Sequence, residues 1–434
     1  MKFLVIFCFV FSSSFSQDYV PLDTLDQSHR TENKELFLAK LKTFGNKFNG
    51  KYSFSVNNEL EKNLEDFKTF FSKSIDRGEY VYNTPFNKKI NEIYTEIYQK
   101  NTVVPQDFQI LVSRNISLNA YCFVNGTMVV NMGTINYLEN EDQLAAILCH
   151  EMAHKLLNHS ENKIVELAIE KHSKESKREN RNLKRQKFNQ QKTAFSVLKE
   201  KLFNNSKKNK KHEYEADSVG FLLLRNTKYN ATELLKALDL SLVYDTIKPA
   251  NLDIGIYKEL FDIPDQPFDE KWLQQEDFSK YDYVFEEKIS RDSISSHPEI
   301  VQRIEKLKKD YVELKNHSRD TLNIARNNDY DTLRATAKTE QVPNLFYLKK
   351  YGFSIYLCLY RIQQNYMVEY HKYWLGKAFD EIYRARKAYM ANKYLDRVDP
   401  ENQSESYQQF INLMWNLRVG EIKKIAEFYL KDRS

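Results

Sequence analysis

The stretch LAAILCHEMAHKLLNH, residues 144–159, constrains the fold of this chain more than any other part of its sequence. It predicts a helix from about Asp142 through Leu157, because the acidic residues before it suit the positive N-terminal end of a helix. His150 and His154 lie four residues apart, so one face of this helix carries both imidazoles. Such a pair can bind one metal ion. The alternative is a helix that carries histidines without a metal.

Glu151 follows the first histidine and projects to the side of the face that the pair shares. Zinc takes nitrogen ligands and lowers the pKa of a bound water to about 7, and a glutamate at this position accepts the proton as hydroxide attacks a peptide carbonyl. Three fixed positions in five are only moderately specific. His159 lies nine residues after His150, half a turn off its face, and is interpreted as a packing or capping residue.

A third ligand is required, because catalytic zinc sites commonly combine three protein ligands with one open position. The stretch HEYEADSVGFLLL, residues 212–224, provides a candidate in Glu213. Asp217 lies one helical turn further on, where it can accept a hydrogen bond from a ligand histidine. Glu215 is expected to face away, and His212 to lie at the helix start. The alternative is an acidic first turn that offsets the helix dipole.

Three motifs, in order, resemble the zinc metallopeptidase family that includes HtpX and the CAAX prenyl proteases. Residues 119–159 resemble the strand, turn, acidic lead and HExxH helix of that family. EYEAD, residues 213–217, is similar to its E-[FY]-x-A-D motif, and SSHPEIVQRI, residues 295–304, to its S-x-H-P…R segment. The resemblance covers about residues 100–310.

The resemblance implies one zinc ion per chain and a role for each matching residue. It implies that the zinc ligands are His150, His154 and Glu213, that Glu151 is the base, and that His297 lies near the scissile carbonyl. A structural role for His297 is the alternative, since the serines before it can cap a helix and a proline suits the first turn. As a functional group, its imidazole would stabilise the oxyanion.

The first 16 residues read as a secretory signal peptide. One lysine precedes an apolar run from Phe3 to Phe11, and small residues suit cleavage before Gln17. Nine apolar residues are too few to cross a membrane, which needs about 20 in a helix, and no later apolar stretch is long enough. The sequence therefore predicts a protein that is exported, periplasmic or secreted, without a transmembrane segment after cleavage.

Three cysteines follow the predicted cleavage point: Cys122, Cys149 and Cys358. This odd number implies no disulfide framework, and all three are expected to be small buried apolar residues. A bridge between Cys122 and Cys149 is the less favoured alternative.

The chain carries a local excess of positive charge. Residues 160–212 hold 16 Lys and Arg against 6 Asp and Glu, whereas the whole chain has a formal net charge of +5. Nucleic-acid binding is not indicated, because interleaved aromatic residues and a recognisable binding module are both missing. The composition predicts a solvated, mobile insert, with contact to acidic headgroups or acidic proteins as the alternative.

The patterns predict an α+β, mostly helical chain with a small β-sheet. After the signal peptide we expect an N-terminal helical region (17–100) with two helical patterns, a zincin-like metallopeptidase domain (101–310) and a helical C-terminal domain (311–434) punctuated at QVPN and VDPENQ. Two strands flank the turn signal NGT. The second, residues 127–131, is either an edge strand that pairs with substrate or an ordinary internal strand.

The combined prediction is an exported zinc-dependent endopeptidase that acts on unfolded or misassembled proteins. The alternative is a chaperone-like or binding protein that acts through its C-terminal helices, with proteolysis minor or latched. Protein or peptide substrates are the expected partners, with a further protein partner possible at the C-terminal helices.

Overall fold

The structure, a computed structural model, describes residues 19–22, 26–178, 209–246, 250–274, 300–315, 328–400 and 403–431. Helices predominate, and the strands form a single small sheet in the described ranges. The predicted α+β, mostly helical fold is therefore confirmed. The predicted signal peptide and His297 lie outside the described residues.

Three helices form the N-terminal part of the described chain: α1 (Gln27–Asn46), α2 (Phe54–Asp76) and α3 (Pro85–Lys100). The two predicted helical patterns correspond to α2 and α3. Helix α1 was not predicted, because its apolar residues are confined to its second half, where Phe37 stacks on Phe71 of α2. Helix α3 begins with a capping box formed by Thr84 and Asn87.

A mixed sheet supports the site region. Its strands are β1 (Tyr80–Val81), β2 (Gln109–Ser113), β3 (Ala120–Cys122) and β4 (Thr127–Asn131), in the spatial order β1-β2-β4-β3. The β3–β4 hairpin turns at Gly126, whose φ of 86° favours glycine. Strand β4 pairs with β2 on one side and β3 on the other, and it is buried along its length. Residues 127–131 are therefore an internal strand, and β3 is the edge.

The helices that follow the sheet in the described residues include α4 (Met132–Tyr137), α5 (Glu141–Leu156), α6 (His159–His172), α7 (residues 209–225) and α8 (Glu233–Thr246). Helix α5 carries the two histidines and matches its prediction to within one residue at each end. Asn140 caps it by accepting a hydrogen bond from the Gln143 backbone N–H, and Glu141 and Asp142 occupy the acidic first turn.

Helix α6 occupies the first part of the basic segment. Ile164 and Ala168 are buried on one face of it, in a cluster with residues of α1 and α2. The prediction of a solvated insert is therefore wrong for this part of the segment, because apolar residues four apart give α6 a buried face. Residues 179–208 lie outside the described part of the chain.

Helices also form the remaining described part of the chain: α9 (Ile254–Phe261), α10 (Ile300–Asp310), α11 (Asn328–Tyr347), α12 (Tyr351–Gln363), α13 (Val368–Lys387), α14 (Glu405–Asn416) and α15 (Val419–Leu430). Helices α9 and α11 to α15 contribute to an aromatic core around Trp374, Phe379 and Phe410, whereas α10 packs in the cluster that contains α5. The predicted break at QVPN is wrong, since α11 continues through Pro343 to Tyr347. Across the described ranges, no helix combines the length and apolar character that a membrane span requires.

A buried ion pair connects the sheet to the C-terminal helices. The Arg114 guanidinium, after β2, lies 3.7 Å from a Glu340 carboxylate oxygen on α11, and both side chains are fully buried. Arg114 also donates to Asn344 Oδ1 (2.6 Å) and to the Leu22 carbonyl (2.7 Å). Tyr19 donates its hydroxyl hydrogen to Glu340 Oε1 at 2.6 Å. Three distant parts of the chain therefore meet at this pair.

Candidate metal centre

Helix α7 packs directly on α5 because Gly220 lies at the point of contact. A Cβ atom at this position would lie 3.0 Å from His150 Cα and 3.1 Å from His150 N. Glu213 and Asp217 precede Gly220 by seven and three residues, so they share its face of α7. The close helix approach therefore places both carboxylates over the histidine-bearing face of α5.

Three side chains converge at this crossing. His150 Nε2 and His154 Nε2 lie 3.1 Å apart. The Glu213 carboxylate oxygens lie 3.5 Å from His150 Nε2 and 3.6 Å from His154 Nε2. One ligand atom from each residue falls within 4.8 Å of the others. The structure thus brings together the three residues that the sequence analysis predicted as ligands.

Asp217 and Arg303 lie behind these three residues. Asp217 Oδ1 lies 3.0 Å from His150 Nδ1, on the ring side opposite the converging nitrogens. Arg303 of α10 donates two hydrogen bonds to the Asp217 carboxylate, at 2.7 and 2.5 Å. Arg303 Nη1 also lies 3.1 Å from Glu213 Oε2. The arginine therefore fixes both carboxylates relative to each other.

The two imidazoles have opposite protonation preferences. Burial alone would lower the pKa of His150, but the Asp217 and Glu213 carboxylates raise that pKa to about 10. Burial, and then the charge on His150, lower the pKa of His154 to about 3. Burial opposes ionisation of Glu213, yet His150 and Arg303 hold the pKa of Glu213 below its usual range. The carboxylates therefore favour one positive charge on the pair, carried by His150.

Glu151 faces the same cleft as the two histidines. Burial raises the pKa of Glu151 to about 7, with opposing effects from His150 and Glu213. A carboxylate with a pKa in this range can both accept and release a proton near neutral pH. This matches the function of a general base.

The cleft in front of these residues encloses about 590 Å³. Edge strand β3 forms one wall, and Leu234 and Leu238 of α8 belong to an apolar wall. Residues Leu118 to Cys122 line the cleft along the chain leading into β3. An extended peptide can pair with the open edge of β3 and so pass in front of the histidines.

His159 lies much closer to the site than the sequence analysis predicted. Its Nδ1 lies 3.0 Å from His154 Nδ1, and the His212 ring stacks on it with centroids 4.2 Å apart. Glu215 points away from the His150–His154 pair, as expected, but its carboxylate lies 3.2 Å from His159 Nε2. The prediction for His159 requires one continuous helix, whereas α5 ends at Leu156 and α6 begins at His159, after Asn158 in a left-handed conformation.

The three cysteines in the described residues are free thiols. Cys149 and Cys358 are buried, as predicted, whereas Cys122 is half-buried at the cleft wall. The less favoured Cys122–Cys149 bridge is absent from this structure. The sequence alone indicates no role for Arg303, although this residue lies in the SSHPEIVQRI segment that resembles the family.

Residues 86–310 match the peptidase family M48, and this match covers just over half of the chain. The chain belongs to peptidase family M48. The matched range runs from α3 through α10, so it contains every residue of the candidate centre. A beta-barrel assembly-enhancing protease of Yersinia pestis is similar at 27% identity over 79 residues, which cover 18% of this chain and 16% of that protein.

Proposed function

We propose that this M48 chain is a zinc-dependent endopeptidase. The observation that carries the proposal is the convergence of His150, His154 and Glu213 within 4.8 Å, at the wall of a cleft that Glu151 also lines. Two imidazole nitrogens and one carboxylate form a donor set that suits zinc, and a catalytic site leaves the fourth position open.

The residues around the site fit a cation. The Asp217 and Glu213 carboxylates favour one positive charge on the His150–His154 pair, and a metal ion bound by the two facing Nε2 atoms provides such a charge. Asp217 beside His150 Nδ1 favours the tautomer with a free lone pair on Nε2. We therefore assign zinc ligation to His150 Nε2, His154 Nε2 and Glu213.

Zinc bound here would act as a Lewis acid toward water and the scissile carbonyl. Glu151 accepts the proton from the attacking water, and its raised pKa lets it return that proton to the leaving amine. The edge of β3 holds the substrate backbone in an extended conformation across the cleft. We assign stabilisation of the oxyanion to His297, on the basis of the family resemblance.

We further propose that the substrates are unfolded or misassembled proteins outside the cytoplasm. Pairing through backbone groups at β3 selects for extended chain and depends little on side-chain identity. The name of the Yersinia pestis relative refers to barrel assembly, which favours a setting in protein quality control. The apolar start of the sequence supports export.

The two glutamates have different proposed functions, and this difference tests the proposal. Glu151→Gln retains the size of the side chain and leaves the three ligands intact, so we expect one equivalent of zinc and no hydrolysis of casein. Glu213→Ala removes a ligand, so zinc and activity should fall together. Zinc is measured by metal analysis after gel filtration, and hydrolysis by release of labelled peptides.

Two results would contradict the peptidase proposal. A wild-type chain without zinc after incubation with the metal would exclude the metal centre. If wild type and Glu151→Gln both bind unfolded proteins and neither hydrolyses them, a chaperone-like function of the C-terminal helices would be favoured. Glu313→Ala is the matched control, because its half-exposed carboxylate pairs at 3.0 Å with Arg225, at the other end of α7 from Glu213.

A further inference from the structure

His159 lies behind His154, on the side away from His150. His159 Nδ1 lies 3.0 Å from His154 Nδ1, and His159 Nε2 lies 3.2 Å from Glu215 Oε2. The His159 side chain is 6% exposed, so these contacts are shielded from bulk water. Asn158, between α5 and α6, adopts a left-handed conformation with φ of 56°, and the His159 ring contacts α5 at His154.

The ring contacts permit one arrangement of protons once His154 binds a metal. Ligation uses His154 Nε2, the nitrogen that faces His150 and Glu213. A neutral imidazole that gives up the lone pair of Nε2 carries its proton on Nδ1. That N–H points at His159 Nδ1, which must then be an acceptor. The proton of His159 consequently lies on Nε2, where the Glu215 carboxylate accepts it.

We propose that His159 is a positioning residue for the metal ligand His154. It accepts a hydrogen bond from His154 Nδ1–H and donates its own Nε2–H to Glu215, which fixes the orientation and tautomer of the ligand ring. The inference rests on the proposed function, because it requires that His154 binds the metal. It adds a connected pair, His159 and Glu215, to the residues that hold the centre.

The two ligand histidines are then supported in different ways. His150 has the Asp217 carboxylate at its Nδ1, and Arg303 in turn holds Asp217. His154 has a neutral imidazole at its Nδ1, followed by a carboxylate whose side chain is 41% exposed. Outer partners of this kind fix ring orientation, and their loss typically costs about 10- to 100-fold in metal affinity.

A second metal site is the competing explanation for this cluster, since one ligand atom each of His159, His212 and Glu215 also falls within 4.8 Å of the others. Metal on His159 Nε2 would move the His159 proton to Nδ1, where it would face the N–H of His154 at 3.0 Å. The His159 and His212 rings are stacked, with 13° between their planes, so their lone pairs run side by side and do not converge. Both observations favour the hydrogen-bonded chain.

The test compares His159→Leu with His159→Asn in the full chain. Leucine removes the acceptor, whereas the Asn Oδ1 takes the place of the imidazole Nδ1 and can still accept from His154. His172→Leu is the matched control, because His172 lies on the same helix and also contacts a glutamate, Glu59, at 3.4 Å. Zinc dissociation constants are measured by competition with a chromophoric chelator, and the ligand field by the visible spectrum of the cobalt-substituted protein.

We expect His159→Leu to bind zinc about 10- to 100-fold more weakly and to shift the cobalt spectrum. His159→Asn should restore affinity to within about threefold of wild type, and His172→Leu should match wild type. Equal affinity and an unchanged cobalt spectrum for folded His159→Leu would overturn the proposal. Weak binding by both His159 variants to the same extent would also overturn it, because bulk packing and not an acceptor would then explain the effect.

A measurement on the wild type keeps the test independent of variant folding. Nitrogen-15 spectra of histidine side chains in the zinc-loaded chain should show His154 protonated on Nδ1 and His159 protonated on Nε2. A proton on His159 Nδ1 would overturn the inference, as would a second equivalent of zinc that requires His212. Failure of the wild type to bind zinc is a separate result that counts against the metal centre itself.

Discussion

Gly220 determines how closely α7 approaches the histidines, because it has no side chain at the point of contact. We expect Gly220→Ala to force the backbones of α5 and α7 apart, since the new methyl group would lie 3.0 Å from His150 Cα. Overpacking of this kind costs about 1–3 kcal/mol, which exceeds the gain of about 1 kcal/mol in helix propensity. Zinc affinity should fall roughly tenfold, because Glu213 moves with α7.

Gly255→Ala is the matched control for this substitution. Gly255 also lies in a helix, α9, but a Cβ atom there would meet nothing within 4 Å. We expect this variant to be at least as stable as wild type and to bind zinc normally. The measurements are urea unfolding and zinc competition. Equal zinc affinity of both variants would show that the close approach at Gly220 does not position Glu213.

The spacing of residues along a helix predicts part of the site. His150 and His154, and Glu213 and Asp217, are each four apart, so their shared faces follow from helix geometry. The approach of α10, which brings Arg303 to both carboxylates, depends on tertiary packing that no local pattern encodes. The position of His159 does not follow from helical spacing, because Asn158 adopts a left-handed conformation between α5 and α6.

His371 makes the stability of helix α13 depend on pH. Burial lowers the pKa of His371 to about 4, although its Nδ1 lies 3.0 Å from the Tyr366 and Met367 carbonyl oxygens. The unfolded chain therefore binds this proton more readily than the folded chain does. Stability from His371 is fully present above about pH 6.5 and is lost progressively as the pH falls toward 4.

The expected loss from His371 alone is about 2 kcal/mol between pH 7 and pH 5. In His371→Asn the amide can still donate to the Met367 carbonyl, but the group does not titrate. Urea unfolding at both pH values should therefore show a pH dependence smaller by this amount than in wild type. Gly255→Ala, which changes no titratable group, should retain the wild-type dependence. An identical pH dependence for His371→Asn and wild type would contradict the prediction.

Helices and turns were predictable from the sequence where capping or turn residues mark their ends. Helix α5 combines a capping asparagine with acidic residues in its first turn, and its predicted limits hold to one residue. The β3–β4 hairpin follows from NGT, which supplies a glycine for the left-handed position. The order of strands was not predictable, because β4 becomes internal only through its parallel pairing with β2. Helix α11 passes through Pro343, against a local signal for a break, while the surrounding residues Gln341 to Leu345 are buried.

The Arg114–Glu340 pair connects the sheet to the C-terminal helices, so a substitution in it affects the whole molecule. We expect Glu340→Leu to cost about 3–5 kcal/mol, because it leaves the Arg114 guanidinium buried without its carboxylate. In the double variant Arg114→Met/Glu340→Leu, no charge remains to be buried, so most of that loss should be recovered. Urea unfolding of the two single variants and the double variant measures the coupling. Additive losses in the double variant would show that the two charges do not stabilise each other.

Tyr19 and Glu340 lie 321 positions apart in the chain, so the contact between them can form only late in synthesis. At about 5–20 residues per second, a ribosome finishes Tyr19 roughly 15 to 60 seconds before it reaches Glu340. His150, His154 and Glu213 are all synthesised within that interval, before Glu340, the partner of Arg114 in the buried pair. A nascent chain therefore carries its candidate metal ligands before the Arg114–Glu340 pair can form. The sheet of this peptidase is joined to the C-terminal helices only after most of the chain has been translated.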